Sequence, residues 1–106
     1  MTFKEWLDNQ CEKRATKIKD GAMITQLKFD ELRLNSGLSL SVQASEFHFC
    51  EPRETLENNE YGSVEVYTHG ETVTRLESYK SGGHVFMYVP VEDLEEICKE
   101  NGGITE

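Results

Sequence analysis

Apolar side chains recur between residues 3 and 19 at the spacing of a helix that buries one face: Phe3, Trp6, Leu7, Cys11, Ala15 and Ile18. Thr2 precedes Glu5 by three residues. In such a capping box the hydroxyl accepts from the glutamate amide, and the carboxylate accepts from the threonine amide. Gly21 supplies a stop. The pattern predicts a first helix over residues 3–19.

The period then changes. Leu27 and Phe29 alternate, as do Leu32 and Leu34, but the two pairs are out of phase. This predicts a short strand, a break near Asp30-Glu31, and an approach to a turn at Asn35-Ser36-Gly37. Leu38, Leu40, Val42 and Ala44 alternate strictly with Ser39, Ser41, Gln43 and Ser45, the clearest strand in the chain. Beyond Ala44 the large apolar residues, Phe47 and Phe49, move to odd positions, which predicts a bulge at Ser45-Glu46 or a strand end covered on both faces. A polar loop spans residues 51–60. Tyr61 to Tyr67 reads as a strand with Val64 and Val66 on one face, Val73 to Tyr79 as another, and His84 to Val89 as a third. Lys80-Ser81-Gly82-Gly83 reads as a flexible hairpin connection.

Pro90 suits the first turn of a closing helix. Its apolar stripe is Val91, Leu94, Ile97 and Cys98, and Asn101-Gly102-Gly103 ends it. The expected fold is a single α+β domain over residues 1–106: a small antiparallel sheet of four or five strands, with an N-terminal and a C-terminal helix packed on one face.

Composition narrows the function classes. No stretch approaches the roughly 20 apolar residues of a membrane span. Met1 to Trp6 lacks the apolar run of a secretion signal, so a cytoplasmic protein is expected, without a membrane partner. Cys11, Cys50 and Cys98 are odd in number and contain no Cys-x-x-Cys, which disfavours a disulfide scaffold and a zinc knuckle. Cys11 and Cys98 fall on apolar helical faces and read as small buried hydrophobes.

The formal charge is −9. Lys4, Lys13, Arg14, Lys17 and Lys19 outnumber Glu5, Asp8, Glu12 and Asp20 by one, so all the excess acidity lies beyond Gly21. Such a surface repels a phosphate backbone, and direct nucleic-acid binding is not expected. The acidity confers solubility. It also suits a basic partner, or leaves room for a small ligand held in a local basic niche.

Reactive side chains concentrate between Ser41 and Arg53. In an unbroken strand His48 and Cys50 share a face, and a neighbouring histidine can stabilise a thiolate. No orienting residue or oxyanion donor accompanies them, so the chain is read as not an enzyme, with a small Cys50/His48 enzyme as the third alternative. A metal centre would need His69 or His84 beside His48 and Cys50, and no zinc spacing is present; no cofactor is expected. A binding niche uses the run better. Gln43, Ser45, His48 and Cys50 offer polar contacts, Arg53 can grip a phosphate or carboxylate, and Phe47 or Phe49 can stack on a base. Glu92, Asp93, Glu95 and Glu96 form the outer face of the closing helix. With Glu51, Glu54, Glu57 and Glu60 they could present acidity to a basic partner.

The run from Leu40 to Arg53 resembles a group of small uncharacterised proteins from phages and mobile elements of Firmicutes and gut bacteria. Their pattern is Ser-Val-Gln-Ala-Ser, two residues, His-Tyr-Cys, one residue, Pro-Arg. Ser41 to Ser45, His48, Cys50, Pro52 and Arg53 fit it, with Phe49 in place of the tyrosine. Tyr61 to Val66 and Tyr88-Val89-Pro90-Val91 are similar to later segments of the group, as is Gly102-Gly103-Ile104, with Asn101 in place of a frequent histidine. The resemblance implies a setting rather than a mechanism: a counter-defence factor in a phage-infected host cell. Two partners follow as expectations. One is a phosphate-bearing nucleotide immune signal, sequestered by Gln43, Ser45, His48, Cys50 and Arg53. The other is the basic surface of a nucleic-acid-binding defence nuclease, met by the acidic helix face as in anti-CRISPR inhibitors. A sheet with one open face also allows a homodimer.

Overall fold

A computed structural model describes residues 1–106. Helix α1 spans Phe3–Lys19 and is followed by a 3-10 turn, Ile24–Gln26. Strands β1 (Leu32–Arg33), β2 (Ser39–Gln43) and β3 (Ser63–Thr68) come next, then a second 3-10 segment, Thr74–Tyr79. Strands β4 (Lys80–Gly82) and β5 (Val85–Pro90) lead into helix α2 (Val91–Glu100). The strands form one antiparallel sheet in the order β1-β2-β3-β5-β4, an α+β fold with a helix at each end of the sequence. No helix is long and apolar enough to cross a membrane.

α1 starts at its capping box. Thr2 Oγ1 accepts from the Glu5 amide at 3.1 Å, and the Thr2 amide donates to Glu5 Oε1 at 2.8 Å. Phe3, Trp6, Leu7 and Cys11 are buried. The apolar face then stops short of its expected length: Ala15 is half-buried, Ile18 is exposed, and the next interior position belongs to Arg14. The Arg14 guanidinium lies 4.7 Å from the centre of the Phe29 ring and donates to Ala44 O, Leu56 O (3.1 Å) and Tyr61 Oη (3.0 Å). A residue that reads as surface charge thus ties α1 to the end of β2 and to the loop before β3.

Register sorts the sheet into two unlike faces. Leu40 pairs with Thr68 and Val42 with Val66 across β2 and β3; Val64 pairs with Val89 and Val66 with Phe86 across β3 and β5. With Leu32, the apolar side chains of these pairs join Phe3, Leu7, Leu94 and Ile97 of the helices in one buried cluster. The opposite face carries Ser41 against Tyr67 and Gln43 against Glu65, with Gln43 and Glu65 nonetheless buried.

Several expectations need correction. Residues 24–34 hold a 3-10 turn and a two-residue strand, with no strand at Leu27–Phe29. Residues 74–79 are 3-10 rather than strand. Leu76 is buried there while Val73 and Tyr79 pack partly buried against the core, a spacing of three that suits three residues per turn. Lys80–Gly82, expected as loop, is an edge strand, and the turn to β5 falls at Gly83 and His84, with Gly82 and Gly83 both at positive φ. No bulge interrupts β2; the strand ends at Gln43, and residues 45–49 turn back across the sheet end. The C-terminal residues run beside β1. The Asn35 amide donates to Gly103 O and the Thr105 amide to Arg33 O, both at 2.9 Å, and Leu34 bridges to Ile104.

Candidate functional site

The turn after β2 consumes most of the polar groups that mark the sequence. Gln43 is 4% exposed; its Oε1 accepts from the Phe29 amide at 3.0 Å, and its Nε2 donates to Ser41 Oγ. Ser45 is buried, with its Oγ 2.7 Å from His48 Nδ1. Because the Phe47 amide already donates to that hydroxyl oxygen, the hydroxyl proton is available to Nδ1. Cys50 is fully buried and donates to Ser45 O and Pro52 O. Burial pushes its thiol up and holds His48 below the ordinary histidine value, the reverse of an activated thiolate–imidazolium pair. Arg53 alone of the five expected ligand residues is exposed, and its guanidinium rests 5.2 Å from the centre of the Phe49 ring. His48 and Cys50 meet through Ser45 in a turn, rather than along a strand face.

The expected ligand niche is therefore closed. Clefts of about 870, 620 and 320 Å³ lie elsewhere, and none is lined by Gln43, Ser45, His48, Cys50 or Arg53.

What the turn leaves outside is aromatic. Phe47, Phe49, Tyr67 and Tyr88 are 53, 40, 37 and 38% exposed. Phe49 and Tyr67 meet a buried carboxylate, Glu65, which is 3% exposed, and Tyr88 packs against Phe49. The Phe49 amide donates to Glu65 Oε2 at 2.8 Å. The Tyr67 phenol is raised by its hydrogen bond to Glu65 and then by burial. Tyr88 arrives by a bulge: between the Val64–Val89 and Val66–Phe86 pairs, Met87 and Tyr88 stand opposite Glu65 alone. Tyr88 adopts φ 52°, donates its amide to Phe49 O at 3.1 Å, and meets the Phe49 ring edge-on at 6.0 Å between centroids. Glu65 takes part in no salt bridge.

Glu65 and Tyr67 were legible in principle, since alternation with Val64 and Val66 puts both on the other face. Tyr88 was not, because nothing in His84–Val89 signals the bulge.

The acidic helix face is only partly available. Asp93 accepts from the Tyr79 hydroxyl at 2.6 Å and faces Arg75, while Glu95 accepts from the Lys4 amide at 2.9 Å. Glu96 lies 3.6 Å from Lys99, and Glu92 is exposed. The expectation of four outward carboxylates is thus corrected to Glu92 and Glu96, with Asp93 and Glu95 committed to packing. The loop carrying Glu54, Glu57 and Glu60 is a second source of acid. Asn59 donates to Lys4 O and its amide donates to Asp8, so this part of the loop docks on the first turns of α1, while Glu57 lies beside Arg14, Ile18 and Lys19 towards the other end of the helix. No protein-family model, curated protein or solved structure matches the chain.

Proposed function

We propose that this chain is a non-enzymatic binding protein whose partner is a basic protein surface rather than a small phosphate-bearing ligand. The observation that carries the reading is the exposed aromatic cluster beside Glu65 on the sheet face opposite the core. A buried carboxylate beneath that surface repels a phosphate and attracts a cation. Aromatic anchors bordered by charge are also the usual anatomy of a protein contact. The side chains of Gln43, Ser45 and Cys50 support the same reading from the other side, since their hydrogen bonds are made within the protein and they line none of the three clefts. Exposed Glu54, Glu57, Glu60 and Glu92 add long-range attraction. In the phage setting that the resemblance implies, the partner is a nucleic-acid-binding defence nuclease whose basic groove this chain blocks.

The test is calorimetric titration against a purified nuclease of that kind at two ionic strengths. Binding should weaken by roughly tenfold or more between about 50 mM and about 300 mM salt, and again when Glu54, Glu57, Glu60 and Glu92 are all changed to Gln. Binding indifferent to both changes would overturn the reading, as would tight binding of a nucleotide by the isolated chain.

A further inference from the structure

We propose that the Phe49, Tyr67 and Tyr88 cluster over Glu65 is a receptor for an arginine side chain of the partner, and that Arg53 occupies it in the free chain. The inference rests on the basic-partner reading and names the group that the partner inserts.

Four features of the site converge on a guanidinium. The first is Glu65, a carboxylate almost removed from solvent, hydrogen-bonded to the Phe49 amide, close to the Tyr67 phenol and paired with no cation. A buried anion in that state gains from a cation brought to it. The second is the aromatic wall: rings at this surface present negative faces, and a planar guanidinium can lie on them while its edge donates hydrogen bonds. An ammonium makes the charge contact without the stacking. The third is Arg53, whose guanidinium already sits over the Phe49 ring of this chain. It is exposed and makes no salt bridge, so an incoming arginine displaces it without breaking an ion pair. The fourth is the backbone at Tyr88. A non-glycine residue at φ 52° costs on the order of 1 kcal/mol or more, and the bulge that imposes it sets the Tyr88 ring beside Phe49. The Phe49–Tyr88 wall is therefore fixed by backbone hydrogen bonds before any partner arrives.

The experiment is an amide NMR titration of the intact chain with an acetylated, amidated hexa-arginine peptide, and in parallel with hexa-lysine. Expected are shifts concentrated at Phe49, Arg53, Glu65 and Tyr88, and an affinity for hexa-arginine roughly tenfold above that for hexa-lysine. Tyr88→Gly, which suits the positive φ and keeps the bulge, should lower hexa-arginine affinity roughly tenfold. Glu65→Gln, which still accepts from the Phe49 amide, should do the same. Arg53→Ala should raise affinity about threefold by vacating the ring. Shifts confined to residues 54–60 and 92–96, with Tyr88→Gly without effect, would overturn the arginine receptor and leave the basic-partner reading standing. No response to either peptide at low salt would overturn both.

Discussion

Arg14 and Glu65 are the two charged side chains withdrawn from solvent, and each is hydrogen-bonded without an opposite charge. Arg14 spends its guanidinium on two carbonyls, a phenol and a ring face, while its Nε has no partner. Tyr61 completes this knot by donating to Glu54 O at 2.5 Å and accepting from the Leu56 amide at 2.9 Å. Arg14→Lys keeps the charge but cannot reach acceptors spread across the guanidinium fork. It should cost about 2 kcal/mol in urea denaturation, whereas a loss under about 0.5 kcal/mol would mean that the fork contributes nothing beyond charge. The same residue shows where the sequence reading ran out. Counting Arg14 with the lysines of α1 treats charge as a surface property, and only the tertiary arrangement of Ala44, Leu56 and Tyr61 reverses that. Gln43, Ser45 and Cys50 stood out by type. Whether they faced a ligand or each other depended on Phe29 and Ser41, partners that no local pattern specifies.

At the scale of elements, both helices were legible because caps and apolar stripes are local signals. The Thr2–Glu5 box is present as expected, and Thr2→Ala should lower stability by about 1 kcal/mol, seen as an earlier thermal midpoint with an unchanged far-ultraviolet spectrum. A wild-type midpoint in that variant would remove the cap from the account of α1. Short apolar runs were less legible. Val73, Leu76 and Tyr79 carry apolar weight at a spacing of three, and β-branched and aromatic content alone favours the strand that does not form. The sheet was foreseeable as antiparallel and one-sided. Its bulge at Met87-Tyr88 was not, because it is set by cross-strand pairing to β3 and by the Phe49 carbonyl. The most distinctive surface of the protein therefore lies where local sequence is least informative.

For the molecule as a whole, acidity and one histidine set the response to solvent. With a formal charge of −9, self-repulsion is relieved by screening, so the thermal midpoint should rise between about 20 mM and about 300 mM sodium chloride. A midpoint that falls with salt would mean that attractive pairs such as Lys13–Asp30 and Arg75–Glu100 outweigh the excess acid. Burial holds His48 below its ordinary value, so the unfolded chain takes up that proton first as the pH drops. The stabilisation from a neutral His48 is therefore complete above about pH 6.5 and is lost as acidification passes through its folded value. His48→Gln removes this dependence. The stability gap between wild type and variant should narrow from about pH 7.5 to about pH 5, as followed by denaturant midpoints. A gap constant across that range would show that His48 does not change protonation between folded and unfolded chains.

The three residues laid along β1 have a consequence for solubility that their small size conceals. Gly103, Ile104 and Thr105 occupy the amide and carbonyl positions that an outermost strand otherwise offers to any neighbour. A chain cut after Asn101 would keep its helices and most of its interior, yet expose Arg33 and Asn35 as an unsealed seam. Such a chain should lengthen into intermolecular sheet, visible as light scattering that grows with time and concentration, while the uncut chain stays dispersed.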